Sequence, residues 1–598
     1  MIKSFFSTIR NSLPTSYITM MWVATLLTFL WFDILWCDIT SFRPFTHYIS
    51  IYIVLIAAAT IFTIPATLSR KRWPQIATLA LLDSLFIANL LYARTYMVPI
   101  PLESYLLVGN LNGFGDSVIN SFRWADCGFF VITLAAWCVT KRKTPGTLTT
   151  IKRCAYTLLL IGSVGASYTT IAGRGGFKER FSSMARSVND QQSAVPVYTL
   201  FCTLAYDWLT LNEPLSPDTR IQTEQWFKKH NQLTATYVNQ HANDSVTHPN
   251  LVILLCESLE SWPIGLTVDG IELTPFLNSI IADTTVYYCP NVLTQVKDGR
   301  SIDGQLLYLS GRLPLTSGVY SMKYASTEYH SLPRAMKQHG AATYLLSADK
   351  PTTWNQTPVA NAMGIDTLIM ADDWKPWNPA DAIIPDKELF NQSVNLMKSG
   401  ELWPTNEYAF LMWVTHTGHD PFLLPHNASP IIQSDNYPTL LKDYINNVHY
   451  VDSALKTIVN YIKSRPDGDN TIITIVGDHE ALASNRNAFA NNYTWVSNTP
   501  FTPLILINSK HNGRDERVIG QVDVYSALLD AVGLYASYPW RGMGFSPFST
   551  SHPGFAIGST GSLATNAESI DSVTEQHLRN AYQAADIAMR YQLNVIPE

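Results

Sequence analysis

An α-helical membrane region followed by an α/β domain with a mostly parallel central sheet is the fold class that this 598-residue sequence predicts. Two observations carry it. Stretches long and apolar enough to span a bilayer fall only within the first 172 residues. Beyond them, short apolar runs such as Leu251 to Cys256 and Thr471 to Val476 alternate with helical patterns. Near-continuous apolar runs of that length fit strands covered on both faces, and strands alternating with helices fit a parallel sheet between helical layers. With 41 basic and 47 acidic residues and a net charge of -6, the chain offers no broad electrostatic case for nucleic acid.

The N-terminal region, residues 1–172, holds five candidate spans: Tyr17 to Cys37, Tyr48 to Leu68, Ile76 to Tyr92, Cys127 to Thr140 and Cys154 to Ile171. The fourth is short of the roughly 20 residues a span needs unless it begins near Phe122 and tolerates Asp126. Loop charge argues for keeping it. With the N terminus inside, the inner segments carry Lys3, Arg10, Arg70, Lys71, Arg72, Lys141, Arg142, Lys143, Lys152 and Arg153. The outer loops carry only Arg43, Arg94 and Arg123. This asymmetry puts the rest of the chain outside. The first span is long for a signal peptide and lacks a small-x-small exit. Asp33 and Asp83 fall within predicted spans, where an acid either serves function or packs against a neighbouring helix.

Residues 173–249 are polar and broken, with Gly173-Arg174-Gly175-Gly176 at their head, and read as a linker with short helices near the membrane surface. A globular unit follows over residues 250–560. Further strands are expected at Ala342 to Leu346, Tyr408 to Val414 and Leu504 to Ile507, with helices at Ile302 to Leu309, Tyr444 to Lys463 and Asp523 to Val532. The tail, residues 561–598, has helical spacing from Glu568 to Tyr591, suited to packing back on the domain or to binding a partner. Seven cysteines without a CxxC pair give neither a disulfide framework nor a zinc-knuckle spacing.

Chemistry collects where predicted strands end. Glu257 directly follows the run ending at Cys256, and Asp478-His479 follow the run ending at Val476 across Gly477. The carboxyl ends of parallel strands are where open α/β sheets place their reactive groups. Two carboxylates and a neutral imidazole suit a hard or borderline divalent cation, which activates a nearby hydroxyl. A strand-end Asp-His pair taken alone is more commonly a satisfied turn. Ser301, after Gly299-Arg300 and at the start of a predicted helix, is the candidate nucleophile, near amides that favour an anion. A plain N-cap is the commoner job for such a serine. Formylglycine chemistry would need Pro at +2 and Arg at +4, where Asp303 and Gln305 stand.

Several ordered motifs together resemble one family. They are Leu254-Leu255-Cys256-Glu257-Ser258, Leu273-Thr274-Pro275-Phe276-Leu277, Gly299-Arg300-Ser301, Gly418-His419-Asp420-Pro421-Phe422, Val476-Gly477-Asp478-His479 and Gly520-Gln521-Val522-Asp523. In this order, over about Asn250 to Phe545, the chain resembles the lipoteichoic acid synthase-like membrane phosphoglycerol transferases of the alkaline phosphatase/sulfatase superfamily. The lipid A phosphoethanolamine transferases belong to the same superfamily.

The resemblance implies an alkaline phosphatase-like (sulfatase-like) α/β domain outside the cytoplasmic (inner) membrane, behind a multi-pass anchor. It implies Glu257, Ser301, Asp478 and His479 as ligands of one divalent metal ion (Mn, Zn or Mg), with Ser301 the catalytic nucleophile. It implies His419, and His416 three residues earlier, as substrate-binding, along with Trp354; Arg300 is a candidate cation for the substrate phosphate. The donor would be a membrane phospholipid, and the acceptor an envelope glycan, polymer or lipid. Two positions depart from the family pattern: Ser301 stands where Thr is usual, and Gln356 where an Arg usually follows Trp354-Asn355. The second weakens phosphoglycerol as the transferred group, because a neutral amide replaces a cationic fork. Phosphoethanolamine transfer is the close rival, a metal-dependent phosphodiesterase or phosphatase a further one, and a noncatalytic envelope scaffold or sensor the reading from another class. Asp523 reads as a helix cap.

Overall fold

The computed structural model describes residues 17–36, 49–69, 71–96, 122–140, 214–241 and 248–596 apart from a few single positions, with isolated short pieces between 100 and 204. The chain divides into two compact units, Met1–Glu213 and Pro214–Glu598.

In the first unit, helices α1 (Tyr17–Trp36), α2 (Ile49–Phe62), α3 (Ile64–Leu68), α4 (Trp73–Tyr96) and α5 (Cys127–Thr140) are described. Two stretches among the described residues, Tyr17–Trp36 of 20 residues and Trp73–Arg94 of 22, are long and apolar enough to cross a membrane. The expected second span is divided between α2 and α3. Pro65 lies in the first turn of α3, and the carboxamide of Gln75 enters the ladder there. It accepts from Ala66 N at 3.1 Å and donates to Phe62 O at 3.1 Å, replacing the bond those two groups would otherwise share. The expected fourth span is a shorter apolar helix, Trp124–Thr140. Asp126, at its start, is fully buried and takes both guanidinium branches of Arg94 at 2.7 and 2.8 Å. Asp83 accepts from Thr133 Oγ1 at 2.6 Å, so this acid joins two helices of the bundle. The fifth expected span and most of the basic residues used for topology, Arg70 and Lys141 to Lys143 among them, lie outside the described residues.

The second unit is built on a nine-stranded sheet. Its strands here are β1 (Asn250–Cys256), β2 (Tyr287–Leu293), β3 (Ala342–Ser347), β4 (Thr367–Ile369), β5 (Ala409–Val414), β6 (Thr471–Gly477), β7 (Phe501–Ile507) and β8 (Gly513–Arg514). The order is β8-β2-β7-β6-β1-β5-β3-β4, with Ile519–Gly520 also pairing β2. Strands β6, β1, β5, β3 and β4 run parallel, while β7 is antiparallel to both β6 and β2. Every residue of β1, β5 and β6 is buried, as a strand covered on both faces requires. Alternate residues of β1 feed opposite cores: Leu251, Ile253 and Leu255 one, Val252, Leu254 and Cys256 the other.

Helices α7 (Ser301–Ser310) and α10 (Gln521–Ala531) pack in the first core, and α8 (Asp386–Ser399) and α9 (Thr439–Ser464) in the second. In the stretch read as a linker, residues 217–240 form a 24-residue helix, α6, whose Trp226 ring lies nearly parallel to those of His230 and His577, with centroids 5.1 and 4.5 Å away. The tail is two helices, α11 (Ser572–Arg579) and α12 (Ala581–Arg590), which pack back on the domain: Tyr582 donates to Gln295 O at 3.0 Å, and Asp586 accepts from Thr316 N at 2.8 Å.

Candidate active site

Strand register builds the centre. Cys256 of β1 pairs in parallel with Gly477 of β6, so Glu257 and Asp478 leave neighbouring strands side by side. Asp478 N donates to Cys256 O at 3.1 Å, and Thr415 N, just past β5, donates to Leu255 O at 3.0 Å. Two glycines permit the crowding. A Cβ on Gly477 would lie 2.0 Å from Leu259 O, and one on Gly418 2.1 Å from Glu257 O.

Ser301 opens α7, and its hydroxyl does not cap the helix. It donates to Glu257 Oε2 at 3.0 Å and lies 3.2 Å from His479 Nε2. His479 Nε2 is in turn 3.1 Å from Glu257 Oε1 and 3.5 Å from Asp478 Oδ2. Arg300, immediately before, has φ +49°, a left-handed conformation uncommon for a side chain of that size. Asp303 holds the approach, accepting Lys297 N at 2.9 Å and Gly299 N at 3.0 Å through one oxygen.

These groups suit a cation. Ligand atoms of Glu257, Asp478 and His479 lie within 4.8 Å of one another, and all three residues are buried. His479 Nδ1 is 2.9 Å from Glu480 O, an acceptor for its proton in the tautomer that turns the Nε2 lone pair to the carboxylates. Asp478 Oδ1 is satisfied by Ser258 N and His479 N, both at 2.7 Å, and Oδ2 faces inward. Without a cation, protons take its place. Burial, then the charge of Glu257, pushes Asp478 up to about 7. Burial works to lower His479, but Asp478 and Glu257 outweigh it and raise the ring to about 9. Burial works to raise Glu257 as well, and His479 overcomes it, holding that carboxyl well below the usual range.

The remaining sequence candidates fall around this centre. His416 and His419 stack face to face, with centroids 5.2 Å apart and planes 6° from parallel. His416 Nδ1 is 3.5 Å from Asp349 Oδ1, and His419 Nδ1 is 2.7 Å from Asp420 O. Arg300 is ion-paired with Glu480, and its Nη2 is also 3.1 Å from His479 Nδ1. Trp354 and Asn355 are both left-handed, at φ +53° and +54°. They lead into Gln356, which is 4% exposed and exchanges two amide bonds with Gln305, at 3.1 and 2.9 Å. Gln305 is one turn after Ser301 on α7, so the Trp354 segment is tied to the helix that Ser301 opens. Asp523 is a cap, its carboxylate accepting Gly520 N and Phe545 N at 2.7 Å each.

Sequence reasoning missed the supports. Asp386 accepts His416 N and Thr417 N at 3.0 Å each and fixes the histidine loop. Glu480 pairs with Arg300, and Thr415 Oγ1 accepts Glu257 N at 3.0 Å. Only Glu480, beside Asp478-His479, carried a signal in its position.

A sulfatase family model matches residues 249–534, the segment that contains every ligand candidate and both histidines. That segment is a sulfatase-family domain. A lipoteichoic acid synthase from Staphylococcus aureus (strain USA300) is 26% identical to this chain over 472 residues, 76% of this chain and 71% of the relative. Among solved structures, the integral membrane protein lipooligosaccharide phosphoethanolamine transferase A from Neisseria meningitidis aligns over 90% of this chain and 97% of its own, at 13% identity and TM-score 0.52. That coverage extends the likeness in fold beyond the sulfatase domain. The lipoteichoic acid synthase LtaP from Listeria monocytogenes aligns over 60% of this chain and 98% of its own, at 16% identity and TM-score 0.49.

Proposed function

We propose that this chain is a metal-dependent membrane phosphotransferase that moves a phospholipid headgroup, phosphoglycerol, through a phospho-Ser301 intermediate to an envelope glycan, polymer or lipid acceptor. The observation that carries the reading is the Ser301 hydroxyl, 3.0 Å from Glu257 and 3.2 Å from His479 and set among the ligand candidates. A divalent cation, Mn, Zn or Mg, held by Glu257, Asp478, His479 and Ser301 would lower the pKa of the hydroxyl and draw charge from the phosphoryl oxygens. Ser301 Oγ attacks the phosphodiester phosphorus, its bond to diacylglycerol breaks, and the departing oxygen takes a proton. An acceptor hydroxyl then displaces Ser301 Oγ and gives up its own proton. His419 is suited to carry those protons or to bond the phosphoryl oxygens, with His416 and Trp354 on the headgroup.

Five spans and a domain outside the cytoplasmic membrane complete the reading, supported by the ten-to-three distribution of basic residues. No ATP is available there, and a lipid phosphodiester is a donor at hand. The lipoteichoic acid synthase relative favours phosphoglycerol. One observation favours phosphoethanolamine: the amide of Gln356 is spent on Gln305 and places no cation at that position. A lost charge-assisted bond to phosphate forfeits about 1.5 to 3 kcal/mol.

The test is diacylglycerol release from vesicles of phosphatidylglycerol or phosphatidylethanolamine by the full-length protein with added Mn²⁺. Release that a chelator and Ser301→Ala both abolish is the expected result. Phosphatidylethanolamine consumed to the exclusion of phosphatidylglycerol would reverse the headgroup, and release from neither would overturn the reading.

A further inference from the structure

Four half-buried rings, Trp262, Tyr437, Tyr493 and Trp495, form a cluster apart from the Ser301 centre. Ring centroids are 5.4 Å apart for Trp262 and Trp495, 5.4 Å for Tyr493 and Trp495, 5.8 Å for Tyr437 and Tyr493, and 6.2 Å for Tyr437 and Trp495. Each ring sits in a loop at the carboxyl edge of the parallel strands, the edge that carries Glu257 and Asp478. Trp262 lies on the chain leaving β1, whose Ser261 N donates to Phe501 O at 2.9 Å at the start of β7. Trp495 and Tyr493 lie on the approach to β7, and Tyr437 on the path from β5 to α9.

Polar ends of three rings are fixed. Tyr437 donates to Asp269 at 2.8 Å, Tyr493 to Asn436 O at 3.2 Å, and Trp262 Nε1 to Glu260 at 2.8 Å. The Trp495 indole N–H has no partner among the described residues and is left to an outside acceptor. The rim is acidic: Asp269 and Asp435 are exposed, and the nearby Lys442 ammonium is 3.4 Å from Asp435.

We infer that this cluster is a binding platform for pyranose units of a neutral glycan. Aromatic faces accept the C–H faces of a sugar ring, while carboxylates and an indole N–H serve its hydroxyls. A bilayer surface is the other occupant aromatic rings invite, and the rim argues against it. Interfacial belts that meet anionic headgroups carry Lys and Arg, whereas here the nearby cation is paired with Asp435 and the charge left without a counterion is the Asp269 carboxylate. The cluster is linked to the reaction centre. Trp262 packs on Tyr444 at 5.6 Å, and the Tyr444 hydroxyl donates to Ser258 O at 3.0 Å, one residue from Glu257. As the place where a glycan acceptor docks, the platform rests on the transferase reading; as a glycan-binding surface it does not.

Saturation-transfer NMR of the detergent-solubilised full-length protein with maltotetraose, cellotetraose and chitotetraose tests it. Saturation of sugar C–H protons is expected for at least one probe, falling at least tenfold in Trp495→Ala and restored in Trp495→Phe. If Trp495→Ala fails to fold by thermal melting, Tyr493→Leu takes its place. No transfer to any of the three, or transfer unchanged in a folded variant, would overturn the platform. So would brominated phospholipid in proteoliposomes quenching wild-type tryptophan fluorescence with a component lost in Trp495→Ala, which would assign the cluster to the bilayer. Binding is read without turnover, so a glycan bound by a protein that releases no diacylglycerol would keep the platform while the transferase reading fails.

Discussion

Replacing Ser301 by Ala removes one contact to Glu257 and one to His479 but leaves two carboxylates and an imidazole facing one another. Turnover in Ser301→Ala is expected to fall by several orders of magnitude while the bound metal stays; Glu257→Ala and His479→Ala should lose both. Metal content measured beside diacylglycerol release separates the two classes, and a Ser301→Ala protein stripped of metal would contradict the assignment. Protons compete for the same place. His479 is raised to about 9 and Asp478 to about 7 when no cation is there, so cation entry expels protons at neutral pH. Affinity for Mn²⁺ should rise with pH, about tenfold per unit for each proton displaced, and level off above about 9. The cation-free fold runs the opposite way. A raised histidine stabilises it fully below the unfolded value of about 6.5 and ceases to as pH climbs through the folded one. Calorimetric titration at several pH values, in buffers of different ionisation enthalpy, reads both affinity and proton release. The Gln305–Gln356 pair gives a third test. Either Gln→Leu change alone strands a buried amide at a cost of about 1 to 3 kcal/mol, whereas the double change should cost less than the sum of the two. A double-mutant cycle from denaturant melts shows additive losses if the pair is not coupled.

At the scale of elements, the site depends on strands and loops that nearly touch. Gly418→Ala would drive a methyl into the Glu257 carbonyl and Gly477→Ala into that of Leu259, at 2.1 and 2.0 Å. Each should lower stability by about 1 to 3 kcal/mol and reduce metal affinity, because the displaced backbone carries a ligand or adjoins one. Unchanged melting and metal binding in either variant would mean that the loops have room the structure does not give them. The same closeness explains what was legible in the sequence. Runs 251–256 and 471–476 declared themselves as buried strands because both faces are covered, and their ends delivered Glu257 and Asp478-His479. Strand β2 escaped notice because Pro290 interrupts it; the proline sits where register with β7 shifts, between Cys289 and Val292. The antiparallel course of β7 was hidden too, since an apolar run does not reveal its direction. Gln356 was read as a substitution on the substrate. Its burial against Gln305 is a long-range contact that periodicity does not encode. Asp386, 30 residues from the loop it holds, was invisible for the same reason.

At the scale of the whole molecule, topology and chemistry must agree, because a phospholipid donor without ATP has meaning only outside the cytoplasm. Reporter fusions after Lys143 and after Gly176 are expected to report opposite sides of the membrane; both reporting the cytoplasm would remove the basis for an outer-leaflet donor. The two units carry different parts of that claim. The first supplies helices long enough to anchor, and the second supplies the ligand cluster and the hydroxyl. In the proposed reaction a lipid headgroup ends on Ser301 before it reaches any acceptor. The measurement that reaches this step directly is the mass of the Ser301 peptide after the full-length protein meets phosphatidylglycerol and, separately, phosphatidylethanolamine, without acceptor. A glycerol-phosphate adduct on Ser301, absent from Ser301→Ala, is the predicted result. Diacylglycerol release with Ser301 unmodified, continuing undiminished in Ser301→Ala, would contradict it.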